Sequence, residues 1–231
     1  MRRRRRGDGD QAGAADHGDA PVALRVEGPW DVADDVPAAE RIDCGSLQIP
    51  MRDDFDVQIN VAEELGAWVA IVHGESGMQL QAFAAPRSGG LWHDVRGEIA
   101  ANIAEVGGSS REQDGPNGPE LHATVPGSDA AAAGAEQLPV RFIGVDGPRW
   151  FLRAVVSGPA AADPKLAAPF EEILADVVVV RGDHPLPPKE QLEIRLPEDV
   201  QRAVEAQLAE EEPGWELQNP FERGPEITET R

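Results

Sequence analysis

The segment of this chain best suited to chemistry is the turn over residues 86–90, Pro-Arg-Ser-Gly-Gly. It precedes a helical pattern, and the free N–H groups at the start of a helix, together with the positive end of its dipole, favour an anion. An arginine in the turn would add positive charge. The segment therefore predicts an anion-binding turn made of four residues: Arg87, Ser88, Gly89 and Gly90.

The same turn also has a purely structural interpretation. Ser88 can cap the following helix, and the two glycines would let that helix pack closely on a sheet. Neither the phosphate-binding pattern GxxxxGKS/T nor the dinucleotide-binding pattern GxGxxG is present here. The turn is thus either an anion site or a capping turn.

A second candidate is an arginine–aromatic surface formed by Arg149, Trp150 and Arg153. In a strand over residues 149–157, Arg149 and Arg153 share a face with Phe151, because side chains alternate along a strand. Such a surface can bind a partner protein or an anion. The alternative is internal ion pairing, in a chain with 42 acidic and 21 basic residues.

The sequence contains no recognisable catalytic or metal-binding set. Residues 74–77, Gly-Glu-Ser-Gly, are one residue too short for a nucleophile elbow and join two predicted strands, so they are interpreted as a hairpin turn. Cys44 has no adjacent base and is expected to be a buried, inert thiol. The five histidines show no metal-ligand spacing: His17, His73, His93, His122 and His184. We predict no catalytic residue, metal or cofactor.

Charge and composition restrict the class of protein. A formal net charge of −21 argues against nucleic-acid binding and against docking on an anionic membrane. A single cysteine allows no intramolecular disulfide, and no apolar run reaches the roughly 18 residues of a transmembrane helix. We therefore expect a cytoplasmic protein whose partner is another protein.

The chain divides into three parts. Residues 1–27 have the composition of a disordered basic and polar tail, and Arg2–Arg6 either solubilises this terminus or contacts nucleic acid or anionic lipid. Residues 28–197 are expected to form a single α+β domain. Residues 198–231 carry ten acids against three arginines, and they are predicted to form an acidic helix followed by a tail.

Periodicity predicts an α+β fold, with one mainly antiparallel sheet and two packed helices. Strands are predicted over 41–49, 55–61, 67–72, 78–84, 121–125, 140–145, 149–157 and 177–180, with an edge strand over 192–196. The first four would form an antiparallel meander, and 149–157 would be a central strand covered on both faces. Helices are predicted over 91–106 and 163–176, the second capped by Asp163 and started by Pro164.

Three longer motifs resemble a known family. They are Gly-Pro-Trp-Asp at 28–31, Leu-Gln-Ala-Phe-Ala-Ala-Pro-Arg-Ser-Gly-Gly-Leu-Trp at 80–92 and Gly-Pro-Arg-Trp-Phe-Leu-Arg at 147–153. They resemble a family of uncharacterised actinobacterial proteins classed only as a domain of unknown function, over roughly residues 28–197. The resemblance implies a cytoplasmic protein and carries over no activity, substrate or catalytic residue.

At the level of shape, an antiparallel sheet flanked by helices is similar to the Mog1/PsbP-like sandwiches, which mostly serve as binding and assembly modules. This likeness and the lack of a catalytic set favour a non-catalytic binding or assembly module. The alternative is a small hydrolase or phosphate-ester enzyme that uses the turn at residues 86–91.

Overall fold

The computed structural model describes residues 27–63, 66–127, 137–197 and 202. The predicted basic tail and the predicted acidic helix and tail lie outside these ranges, apart from Glu27 and Arg202. Within the described part, the protein is α+β, with two helices and mostly antiparallel strands. The predicted fold class is therefore confirmed.

The elements are numbered in chain order. The strands are β1 (Trp30–Asp31), β2 (Arg41–Asp43), β3 (Leu47–Pro50), β4 (Asp56–Ala62), β5 (Gly66–His73), β6 (Ser76–Ala84), β7 (Ser109–Gly115), β8 (Gly118–Pro126), β9 (Gln137–Gly147), β10 (Trp150–Ser157) and β11 (Val178–Val179). The helices are α1 (Leu91–Glu105) and α2 (Pro164–Asp176), and a 3-10 turn spans Pro159–Ala161.

Seven strands form one antiparallel sheet in the order β4-β5-β6-β10-β9-β8-β7. The consecutive strands β4, β5 and β6 form the meander that their alternating residues predict. Strands β9 and β10 are joined by a tight connection at Asp146-Gly147-Pro148-Arg149, where the sequence predicts a turn. Long antiparallel pairing thus follows the period-2 pattern of the sequence.

The prediction of a single sheet is wrong, because a second sheet has the order β1-β11-β3-β2. The predicted strand 41–49 is in fact a hairpin of β2 and β3, so it does not join the meander. Gly45, with φ +81°, lies in the left-handed region that glycine tolerates, and it lets the chain reverse between the two strands. Strands β1 and β11 pair in parallel.

The larger sheet is covered on both faces. On one face, even-numbered residues of β10 pack with the smaller sheet and α2; they are Trp150, Leu152, Ala154 and Val156. On the other face, Phe151 packs beneath α1 against Leu91 and Trp92. This confirms that β10 is a central strand with both faces buried.

Both predicted helices are present, but only one has the predicted cap. Asp163 caps α2 by accepting a hydrogen bond from the Lys165 N–H at 2.8 Å, and Pro164 is the first helical residue. Pro169 lies inside this helix without ending it. The residue before α1 is Gly90, so Ser88 is not the cap that the sequence predicts.

Two further segments differ from their predictions. Strand β7 was not expected, because Ser-Ser-Arg-Glu-Gln-Asp-Gly has no apolar alternation and lies at an edge with almost every residue exposed. The predicted edge strand 192–196 forms only isolated bridges. Residues 189–195 instead connect the sheets, with Phe83 bridged to Gln191 and Gly45 bridged to Ile194.

Candidate functional site

A cleft lies between α1 and the face of β6 and β10. We call it the α1 cleft. Seven residues line its volume of about 170 Å³: Phe83, Leu91, Val95, Glu98, Phe151, Arg153 and Lys189. It combines an apolar wall with two cationic side chains, which is the general composition of a small ligand site.

The apolar wall of the α1 cleft is held by stacked aromatic rings. Phe151 is almost fully buried, and its ring centroid lies 6.0 Å from that of Phe83 and 5.9 Å from that of Trp92. The Trp92 indole N–H donates to the Pro119 carbonyl at 2.6 Å, which fixes this ring in turn. The wall is therefore rigid before any ligand arrives.

Arg153 is the unusual charged residue of the cleft. Its Nε atom is fully buried and has no hydrogen-bond partner among the described residues. A terminal N–H group donates to the side-chain oxygen of Gln81, and the guanidinium lies 5.2 Å from the Phe83 ring centroid. Burial lowers the pKa of Arg153. The partly buried Arg153 thus has no carboxylate partner among the described residues, whereas an arginine removed from water usually has one.

Arg141 shows how the same chain satisfies a buried arginine. Its Nε and a terminal nitrogen both donate to the Glu120 carboxylate, the second at 3.0 Å, and it contacts Glu171 at 2.6 Å. Burial alone would lower the pKa of Arg141, but hydrogen bonding and charge from Glu120, then Glu171, raise it on balance. Arg153 has no such partner among the described residues.

The rim of the α1 cleft carries one exposed ion pair. The Lys189 ammonium lies 2.5 Å from a carboxylate oxygen of Glu98, and both side chains are about half exposed. The backbone N–H of Lys189 donates to the backbone carbonyl of Ala84 at 2.8 Å, and this bond connects the segment around residue 189 to β6. Because Glu98 balances Lys189, the charge left over in the cleft is that of Arg153.

The structure separates the three residues of the predicted arginine–aromatic surface. Trp150 is fully buried, because even-numbered residues of β10 face the main core, and its indole N–H donates to the Asp31 carboxylate at 2.6 Å. It is therefore not a surface residue. Arg149 is exposed at the turn before β10, and only Arg153 lines the cleft. Neither arginine is in an ion pair with a described residue, so the alternative of internal pairing is not found.

The predicted anion-binding turn is placed at the surface. Arg87 and Ser88 are exposed, and the Gly89 N–H already donates to the Pro86 carbonyl at 3.2 Å. At the start of α1, both carboxylate oxygens of Asp146 lie 3.3 Å from the backbone nitrogen of Trp92. A carboxylate of the chain itself therefore lies at the helix N-terminus. Anion binding by this turn stays a prediction.

Asp146 should therefore stabilise α1 in place of the predicted serine cap. We expect Asp146→Ala to lower the free energy of unfolding by about 1 kcal/mol, because a carboxylate that accepts from the first-turn N–H of Trp92 both caps the helix and interacts favourably with its dipole. Urea denaturation measures this, with Asp183→Ala in an exposed loop as the control. Equal stability of both variants and the parent would contradict the assignment.

A buried polar cluster on β8 and β9 was missed by the sequence analysis. Arg141 on β9 lies opposite His122 on β8 and forms an ion pair with Glu120, the diagonal neighbour on β8, and His122 Nε2 lies 3.6 Å from the Glu120 carboxylate. Burial, followed by the charge of Arg141, lowers the pKa of His122. Alternation along β8 puts Glu120 and His122 on one face, but no sequence signal pairs them with Arg141. No group of three potential metal ligands occurs among the described residues.

Cys44 has the environment of an unreactive thiol. Its side chain is fully buried, and burial together with the charge of Asp43 raises its pKa to about 11. The thiolate, the nucleophilic form, is therefore scarce near neutral pH. This agrees with the interpretation of Cys44 as a structural residue.

The fold and cleft together define an α+β protein with a small cleft that is apolar on its walls and cationic at Arg153. The chain belongs to the DUF3710 family, described as proteins of unknown function, whose model matches residues 28–203. The predicted resemblance to a domain of unknown function is thereby confirmed. A search of curated proteins finds no match. Among the described residues, no helix combines the length and apolar character needed to cross a membrane.

Proposed function

We propose that the protein is a non-catalytic binding or assembly module of the cytoplasm, and that its α1 cleft holds an apolar, negatively charged group of a partner protein. Residues 28–197 would be the functional unit. The observation that carries the proposal is the guanidinium of Arg153, which lines a cleft with apolar walls and forms no ion pair with a described residue. A partner would supply the acceptor and cover the walls.

The physical argument concerns the cost of a buried charge. A guanidinium removed from water is unfavourable unless a carboxylate or other acceptor compensates it. Among the residues that the structure describes, Arg141 has that compensation and Arg153 does not. An anion that enters the α1 cleft would therefore gain more from Arg153 than from an exposed arginine such as Arg149.

The cytoplasmic assignment is supported by composition. One cysteine in 231 residues, fully buried, fits a compartment where disulfides are not used. The net charge of −21 supports solubility and disfavours polyanionic partners. A protein segment with few charges of its own is the kind of partner that this surface tolerates.

The phosphate-ester enzyme that the turn at residues 86–91 also suggests is less well supported. A substrate phosphate at the start of α1 would meet the Asp146 carboxylate, which lies 3.3 Å from the Trp92 N–H. Like charges at that distance repel. The geometry therefore favours the binding module.

Small apolar probes test whether the α1 cleft binds ligands at all. A cavity on the order of 150 Å³ accommodates benzene, so we expect benzenesulfonate and benzyl alcohol to shift the NMR amide signals of Leu91, Val95 and Phe151. Val95→Trp, which fills the cleft, should abolish these shifts. Val106→Trp, at the exposed end of the same helix, should leave them unchanged.

Two outcomes would contradict the proposal. The first is that neither benzenesulfonate nor benzyl alcohol shifts the amide signals of the α1 cleft at concentrations up to its solubility limit. The second is that Val95→Trp retains the shifts while remaining folded. Either result would show that the cleft is not a binding site.

A further inference from the structure

The α1 cleft offers enough detail to specify the chemistry of its ligand. Resting on the proposed function, we propose that the cleft binds a carboxylate carried on a short aliphatic group. A protein chain that ends in an aliphatic residue has this chemistry, and so does a free short-chain carboxylic acid. The argument has three parts: the hydrogen-bonding geometry of Arg153, the charge balance and the size of the cleft.

Hydrogen-bonding geometry favours a planar anion. A guanidinium donates in a fixed, planar fork that matches the two oxygens of a carboxylate. Arg141 uses its Nε and a terminal nitrogen in this way on Glu120. In Arg153 Nε is fully buried and one terminal nitrogen donates to Gln81, so the fork offered to a ligand in the cleft is that of the two terminal nitrogens.

Arg153 is also held in place. The Gln81 side chain that accepts from it donates in turn to the Ala67 carbonyl at 3.2 Å. The guanidinium lies against the Phe83 ring, which stacks on the almost fully buried Phe151. Little side-chain freedom is therefore lost when an acceptor binds, and preorganisation of this kind increases affinity.

Charge balance favours a monoanion. Lys189 is neutralised by Glu98, so the cleft contributes the single positive charge of Arg153. A carboxylate carries one negative charge, whereas a phosphate monoester carries about 1.5 to 2 near neutral pH. The second charge of a phosphate would remain unbalanced beside Glu98, in a chain whose net charge is −21.

Size and lining favour a short aliphatic group. The cleft volume of about 170 Å³ corresponds to roughly six water molecules of liquid volume, enough for one medium side chain. Four of the seven lining residues are apolar: Phe83, Leu91, Val95 and Phe151. The apolar wall and Arg153 border the same small space, so the apolar group and the carboxylate must be close together in the ligand.

A pair of isosteric probes tests the inference on the full chain. Hexanoate and hexanamide have the same aliphatic group, and only the first carries charge. We expect NMR titration to give hexanoate an affinity about tenfold higher or more, because a charge-assisted hydrogen bond is added. In Arg153→Gln this difference should disappear, and in the control Arg149→Gln, outside the cleft, it should persist. Inorganic phosphate should not shift the cleft signals.

Peptides distinguish the two sources of the carboxylate. The probes are a pentapeptide ending in a leucine with a free carboxylate, the same peptide with a C-terminal amide, and hexanoate. If the acid peptide binds more tightly than hexanoate and the amide peptide does not, the ligand is a chain terminus. If hexanoate binds more tightly than the acid peptide, the ligand is a free acid, and the partner protein of the proposed function is contradicted. Both outcomes support the carboxylate.

Results that contradict the carboxylate inference can be distinguished from results that contradict the proposed function. Equal binding of hexanoate and hexanamide at the cleft of the parent protein would overturn the carboxylate inference but leave the cleft as a binding site. This comparison does not depend on a variant that must fold. Retention of the tenfold difference in folded Arg153→Gln would also overturn it. Failure of every probe at the cleft would overturn both proposals.

Discussion

Replacing Arg141 by methionine is expected to lower the free energy of unfolding by about 3–5 kcal/mol, because it removes the cation that compensates the buried Glu120 carboxylate and leaves only the more distant His122 beside it. Glu120 is only 1 % exposed and receives two hydrogen bonds from Arg141. An uncompensated buried charge of this kind costs a large part of the stability of an ordinary domain. Urea denaturation followed by circular dichroism measures the loss.

Two companion variants isolate the charge from the packing. In Glu120→Leu/Arg141→Met both charges are replaced by apolar groups of similar size, and most of the lost stability should return, because apolar packing replaces a buried ion pair at little or no cost. Glu171→Gln should have a much smaller effect, since Glu171 is partly exposed. A double variant no more stable than Arg141→Met would refute the explanation.

The second large effect is expected at Gly144, a glycine that faces α1. A Cβ atom at this position would lie 2.1 Å from a ring carbon of Trp92, closer than atoms can approach. Trp92 cannot easily move away, because its indole is hydrogen-bonded to Pro119 and its ring stacks on Phe151. We expect Gly144→Ala to lower the free energy of unfolding by about 1–3 kcal/mol, the usual range for overpacking.

Gly97 is a matched control on the helix itself. It lies in the exposed middle of α1, and a Cβ there would have no atom within 4 Å. Gly97→Ala should therefore raise the free energy of unfolding by about 0.5–1 kcal/mol, because alanine loses less backbone entropy in a helix. The same substitution should thus have opposite signs at two glycines, as measured by thermal melting. If Gly144→Ala instead raises the free energy of unfolding, the Trp92 ring does not pack against Gly144 as closely as described.

Sequence periodicity predicted the long elements and little of their arrangement. Strands β5, β6 and β10 each bury one alternating set of residues, so a period of two is visible in the sequence. In β4 the same period places Val57 and Ile59 in partly buried positions, while Val61 is exposed. The helices α1 and α2 repeat apolar residues every three or four positions. The cap of α2 was also predictable, because Asp163 lies next to Pro164 in a local pattern.

Strands were predicted over 41–49 and 177–180, but neither their assembly into a separate, smaller sheet nor strand β7 of the larger sheet could be predicted, because the signals are short or absent. Strands β1 and β11 have two residues each, too few for a period. Strand β7 is polar on both faces and is defined by its pairing with β8 alone. Such short or polar strands form because a partner strand pairs with them. The β-propensity of their own residues does not show which distant segment that partner is.

The candidate site was predicted in part. Alternation along the strand predicts that Arg153 shares a face with Phe151, and the structure places both in the α1 cleft. The same alternation puts Trp150 on the opposite face, where it is fully buried. The lack of an ion pair between Arg153 and any described residue could not be foreseen, because the surroundings of Arg153 come from β6, α1 and the connecting segment at residue 189.

The parallel pairing of β1 with β11 has a consequence for the newly made chain. Trp30 and Asp31 pair with Val178 and Val179, and Asp31 also accepts from Trp150, 119 residues further along the chain. At a synthesis rate of roughly 5–20 residues per second, β1 waits on the order of ten seconds for its partner strand to be translated. The closure of the smaller sheet is thus a late event in biosynthesis, and a ribosome stalled before residue 178 would present a first strand with nothing to pair with.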